Sequence, residues 1–144
     1  MQDLPHQYIV DASASPQGEV EINANGVDTI VSAPPAEFGG PGNRWSPESL
    51  LVASVVDCFI LTFRAISRAS KLDWISLQCQ ANGTLDKADG ATRFTRFDIR
   101  ATLEVYDGSS VDKARRIMEK AEQNCLITNS LSAPSHLDAD VVVK

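Results

Sequence analysis

The stretch Ser46–Ser70, SPESLLVASVVDCFILTFRAISRAS, constrains this chain more than any other. Ser46 can cap a helix, Pro47 suits the first helical position, and Glu48 puts a negative charge in the first turn. Leu50, Leu51, Val52, Val55, Val56, Cys58, Phe59, Ile60, Leu61, Phe63 and Ile66 then follow with few polar interruptions. A helix apolar on nearly every side must be buried. The run is too short to read as a bilayer span, and Asp57 interrupts it. The expectation is a buried central helix with one thiol, Cys58, in its middle.

The surroundings of that helix read as strands. Residues 7–15 form a first strand and Val20, Ile22 and Ala24 alternate with polar neighbours in a second. Asn25-Gly26 signals a hairpin, which makes 27–32 the returning strand. The Pro- and Gly-dense segment PPAEFGGPGNRW at 34–45 is a loop leading to the helix. Beyond the helix, Ile75, Leu77, Cys79, Ala81 and Leu85 share one strand face. Phe97, Ile99, Ala101, Leu103 and Val105 share another. Asp89-Gly90 turns the chain between these strands. An amphipathic helix spans 109–124, capped by Ser109, with Val111, Ala114, Met118, Ala121 and Cys125 on its apolar side. A short irregular or helical segment at 126–135 precedes a final strand at 137–143.

The order βββ-α-ββ-α-β is an α+β fold with antiparallel sheets, read as one domain over 1–144. One small sheet covers only one side of the central helix. A homodimer in which two such helices pack between two sheets covers the rest.

Charge and cysteine usage narrow the chemistry. The net charge is −6, and residues 1–43 hold no Lys or Arg. That balance argues against nucleic acid and anionic membranes as partners. The N-terminus has no signal-peptide pattern, so a cytoplasmic, reducing location is expected. Three cysteines there are each structural, catalytic or ligating. Cys79, on an apolar strand face, reads as structural. For Cys58 and Cys125 the inert and the reactive readings both stand. No metal site is expected: there is no Cys-x-x-Cys, and His6 and His136 lack ligand spacing.

The segment SPESLLVASVVDCF resembles the signature of the OsmC/Ohr family, the osmotically inducible and organic-hydroperoxide-resistance proteins. Pro47 and Glu48 open the helix and Cys58 follows. NCLITNSL, with Cys125, Thr128 and Asn129, resembles the family's second cysteine segment. The resemblance implies an intertwined homodimer acting as a thiol peroxidase on a small-molecule hydroperoxide, without a cofactor. It implies Cys58 as the peroxidatic thiol, Cys125 as the resolving thiol, and an external dithiol as reductant. It also implies an Arg, paired with the helix-start Glu, that favours the thiolate.

That Arg lies in the family's first strands, where this chain has none. Arg44, just ahead of Glu48, is the candidate substitute, against a plain surface or helix-start role. Glu48 and Cys58 stand about 15 Å apart along one helix, so Glu48 would act across the dimer. Asp57 beside the thiol and Leu126 after the second cysteine are further departures from the family pattern. Phe38, Trp45 and Phe59 are candidates to line an apolar substrate pocket, each against a plain core role. The alternative function is an OsmC-fold stress or binding protein for a small apolar ligand, with little or no turnover.

Overall fold

The computed structural model describes all residues, Met1–Lys144. The chain divides into two compact units, Met1–Leu50 and Leu51–Lys144. The fold is α+β, with one three-stranded sheet in each unit.

In the first unit, β1 (Asp11–Ser13), β2 (Val20–Asn23) and β3 (Ile30–Ser32) form the expected antiparallel meander, in the order β1-β2-β3. The strands are shorter than the alternation suggested. Residues 7–10 lie outside the ladder, and 27–29 belong to the turn after Gly26, whose φ is 82°. Only Ser32, Ala33 and Ser46 are buried in this unit, and Tyr8, Ile9, Val10 and Val27 stay exposed. Too little apolar surface is covered here to make a core.

The loop between β3 and the central helix is closed on itself. Ala33 N donates to Trp45 O at 2.9 Å, and Ser32 forms a parallel bridge with Trp45. A 3-10 turn at Ala36–Phe38 ends at Gly39, whose φ of 83° suits glycine. Gly40 N donates to Pro35 O at 2.9 Å. A Cβ on Gly40 would lie 1.6 Å from Pro34 O, so no other residue fits there without moving the loop.

The central helix α1 spans Pro47–Ala69. Ser46 caps it in a reciprocal box: Ser49 N donates to Ser46 Oγ at 3.1 Å and Ser46 N donates to Ser49 Oγ at 2.9 Å. After Ala69, Lys71 adopts a left-handed φ of 55°, and Leu72 N closes back on Ser67 O at 3.0 Å.

In the second unit, β4 (Ser76–Ala88) and β5 (Ala91–Val105) form a long antiparallel hairpin around Asp89-Gly90, both at positive φ. A bulge between Thr84 and Leu85 shifts the register, so Leu85 faces Phe94. Helix α2 (Val111–Gln123) and a one-turn α3 (Leu126–Asn129) lead to β6 (Ser135–Val143). β6 departs from the antiparallel expectation: it pairs with β5 in parallel, from Phe97↔Ser135 to Val105↔Val143. The reason is the connection. The chain leaves β5, crosses over through α2 and returns in the same direction, which a hairpin cannot do. The cap of α2 also differs. Asp107, not Ser109, supplies the capping oxygen, accepting from Ser109 N at 3.0 Å at the start of a 3-10 turn.

One face of this second sheet is wet and the other carries the core. Phe97, Ile99, Ala101, Leu103 and Val105 are buried, as their period of two requires. Against them pack Val55, Phe59 and Phe63 of α1 and Ala114, Ile117, Met118 and Ala121 of α2. Gly83 admits α1 closely: a Cβ there would lie 2.8 Å from Val52 Cγ2 and 2.9 Å from Phe94 Cε1. By length and composition alone α1 could cross a membrane, contrary to the expectation that its run is too short. Its stripe at Val55, Phe59, Phe63 and Ser67 is instead set into a protein core.

The expectation of burial on all sides is not met within one chain. Asp57, Leu61, Arg64, Ala65 and Arg68 are exposed, Leu61 at 51%. One three-stranded sheet can shield only one stripe of a helix, and the opposite stripe is left open.

Candidate active site

The second unit brings two of its three thiols together. Cys58 lies mid-way along α1, half-buried, with its Sγ 3.8 Å from the Thr62 hydroxyl one turn later. Cys125 sits at the N-cap of α3, fully buried. Its backbone turns there from α2 into an extended conformation, which aims the chain into α3. The Thr128 hydroxyl donates to the Cys125 carbonyl at 3.1 Å and fixes the turn.

The Cys125 thiol feels both its burial and its neighbour. Burial pushes the Cys125 thiol above its ordinary pKa. The Thr128 N–H and hydroxyl pull it down, and a hydrogen bond with Cys58 and that group's charge push it up again. The net direction is up. Both cysteines are free thiols.

Cys79 stands apart from this chemistry. It lies on β4 opposite Ala101, and burial alone raises its pKa to about 11. Such a thiol is protonated at neutral pH and a poor nucleophile. This is the structural role expected for it.

Of the remaining candidate residues, Arg44, Glu48, Phe38 and Trp45 belong to the first unit and Phe59 to the second. Arg44 donates from Nε to Glu19 Oε1 at 2.7 Å, on a half-exposed surface. Glu48 lies in the first turn of α1, and its Oε1 is buried without a hydrogen-bond partner. Phe38, 60% exposed, lines a cavity of about 270 Å³ together with Glu48. Trp45, 52% exposed, lines a different one of about 610 Å³ beside Arg44 and Ser49. Phe59 is fully buried in the core of the second unit and lines no open cleft there. No group of three or more His, Cys, Asp or Glu side chains is placed to hold a metal.

Two functional-looking contacts escaped the sequence reading. Thr62 was legible in principle, since i and i+4 share a helix face. Ser49, the second half of the capping box, stands where Glu or Gln is the usual signal.

Residues 40–140 match the model of the OsmC-like protein family. The chain belongs to the OsmC-like family. The OsmC-like chain is 26% identical over 132 residues to the uncharacterized protein YmaD of Bacillus subtilis, covering 85% of this chain and 88% of that one. Its fold matches an OsmC-like protein of unknown function from Vibrio cholerae, with a TM-score of 0.86 at 17% identity, covering 94% of this chain and 99% of that chain. It also matches an organic hydroperoxide resistance protein from Elizabethkingia anophelis. There the TM-score is 0.78 at 16% identity, over 99% of this chain and 100% of that chain. A third match is an organic hydroperoxide resistance protein OsmC from Legionella pneumophila. Its TM-score is 0.72 at 21% identity, over 98% and 100% of the two chains. At these identities the structures establish the shared OsmC-like fold.

Proposed function

We propose that this OsmC-like protein is a thiol-dependent peroxidase that reduces organic hydroperoxides. The observation that carries the reading is that Cys58 and Cys125, set on two separate helical elements, are near enough for Cys58 to push up the Cys125 thiol. The half-buried Cys58 is the accessible partner of the pair. Its thiolate attacks one peroxide oxygen, the O–O bond breaks, and the alkoxide leaves with a proton as the alcohol. Cys58 is then a sulfenic acid. The Cys125 thiolate attacks that sulfur, hydroxide leaves as water, and a Cys58–Cys125 disulfide forms. An external dithiol returns both to thiols, as a reducing compartment such as the cytoplasm allows.

The working unit in this proposal is a homodimer. The open stripe of α1 at Leu61 and Ala65 asks for cover, and a second copy supplies it. Glu48 then acts on the thiol site from the second copy, because along its own helix it stands about 15 Å from Cys58.

The test is thiol titration before and after one equivalent of cumene hydroperoxide. Two of three thiols should be lost per chain, and Cys58→Ser should abolish the loss. Intact folding with no thiol consumed overturns the proposal. One observation favours a second reading, an OsmC-fold binding protein without efficient turnover. Arg44, the one Lys or Arg of the first unit, is engaged by Glu19. The same titration separates the two, since the binding protein consumes no thiol.

A further inference from the structure

Cys58 carries its thiol where a helix offers no donor of its own. It sits mid-way along α1, so the backbone amides around it are spent within the helix and the free amides of the helix start are remote. Arg44 is engaged by Glu19 at 2.7 Å. The neighbouring Cys125 thiol is held above its ordinary pKa and brings no positive charge. A thiol with nothing to favour its anion stays mostly protonated at neutral pH and attacks slowly.

Two hydroxyls share the Cys58 face of α1, and they are used differently. Ser54, one turn before, gives its hydroxyl to the Leu51 carbonyl at 2.6 Å, the usual fate of a hydroxyl inside a helix. Thr62, one turn after, sets its Oγ1 3.8 Å from Cys58 Sγ. Side chains of a helix lean toward its N-terminus, so the residue four positions on is the one that falls back over the thiol. Both residues are half-buried, which limits competition from water. The contact is long for a neutral pair. Hydrogen bonds to an ionised acceptor are shorter and roughly twice as strong.

We infer that the Thr62 hydroxyl is the hydrogen-bond donor that activates Cys58: it donates to the sulfur in its thiolate form and holds that anion ready for attack. No proton changes hands. Thr62 keeps its own and turns it toward the charge, as a freely rotating hydroxyl can. Its branched Cβ leaves few side-chain rotamers, so the donor is held near the sulfur at little cost in entropy. The inference deepens the peroxidase reading and rests on it for the peroxide step alone, since activation of the thiol can be read without peroxide.

The test uses the full chain with two substitutions. Thr62→Val keeps the branched shape and removes the donor; Thr62→Ser keeps the donor and drops a methyl. Thr62→Ala replaces the valine variant should that one fold poorly. Reaction with iodoacetamide at pH 7 is followed site by site with peptide mass spectrometry, and Cys79 is the internal control. A donor on the anion raises the share of thiolate but blunts the attack of each, the second effect offsetting about half of the first. Alkylation of Cys58 should therefore slow by roughly three- to tenfold in Thr62→Val and stay near the parent rate in Thr62→Ser, with Cys79 unchanged throughout. Loss of thiol to one equivalent of cumene hydroperoxide should slow in the same order. If alkylation follows the hydroxyl in this way while no chain consumes peroxide, activation by Thr62 stands and the peroxidase reading falls. If the valine and serine variants both match the parent, or both slow alike, the hydroxyl is not the donor. The inference is then overturned, whether or not peroxide is consumed.

Discussion

The Cys58 thiol, one turn before Thr62 on α1, is near enough to the Cys125 thiol at the head of α3 to help hold that thiol above its ordinary pKa. Cys125 is the deeper member of the pair, fully buried, and Cys58 is half-buried. In the proposed peroxidase reaction that asymmetry sets the order of events: the accessible sulfur would meet the peroxide and the buried one would follow.

Removing the second thiol should therefore strand the first in its oxidised form. Cys125→Ser, treated with one equivalent of cumene hydroperoxide, is expected to hold a sulfenic acid at Cys58 that dimedone traps. Intact mass spectrometry would show one adduct on the peptide bearing Cys58. In the parent chain the disulfide forms instead and the adduct is absent. An adduct on Cys79 in place of Cys58 contradicts the assigned order.

Thr128 tunes the second thiol. Its N–H and hydroxyl both lower the Cys125 pKa against the larger effect of burial. Thr128→Val keeps the shape and the N–H but removes the hydroxyl. The Cys125 pKa should rise further and less thiolate should be present at neutral pH. Disulfide formation after the peroxide step should slow by roughly three- to tenfold. Stopped-flow measurement of that step between pH 6 and 9 checks this. The pH midpoint moves upward in the variant, whereas a purely structural effect would lower the rate without moving it.

Cys79 makes stability depend on alkaline pH. Its thiol rises from an ordinary 9.0 to about 11 in the folded chain because burial disfavours the thiolate. Between those values the unfolded chain has lost the proton and the folded chain still holds it. Stability is therefore full below pH 9 and falls as pH rises toward 11. Cys79 is only half-buried, so the loss is about 1–2 kcal/mol. Urea midpoints at pH 8 and 10.5 should show it. Cys79→Ala should flatten the part of that slope due to Cys79, leaving the contribution from Cys125.

The strands of the second unit were legible because β5 buries alternate residues from Phe97 to Val105, and a period of two needs no tertiary information. Strand direction is different in kind. Nothing in the composition of SHLDADVVV says whether it runs with or against β5; the crossover through α2 decides that. The core stripe of α1 was hidden by its own uniformity. When nearly every position is apolar, periodicity cannot say that Phe59 and Phe63 face the sheet while Leu61 does not. The approach of Cys58 to Cys125 was reached through family resemblance alone, since two thiols on separate helices carry no local signal. Arg44 illustrates the same limit: its partner, Glu19, lies in a different strand and no spacing rule links them.

The loop at 33–45 rests on two neighbouring glycines for different reasons, and substitutions should separate them. Gly39 sits at a φ of 83° with open space around its Cα, so Gly39→Ala adds only backbone strain of about 1–2 kcal/mol. Gly40 has no such φ, yet a Cβ there would meet Pro34 O at 1.6 Å. That oxygen belongs to a proline whose ring limits how far the backbone can give. Gly40→Ala should therefore cost more, about 2–3 kcal/mol, and should open the turn that Gly40 N closes on Pro35 O. Hydrogen exchange should then show faster exchange of the Phe38, Gly39 and residue-40 amides, with β4 and β5 unchanged. Equal losses for the two variants would mean that the loop relaxes around a new Cβ and that Gly40 is not the residue on which its closure depends.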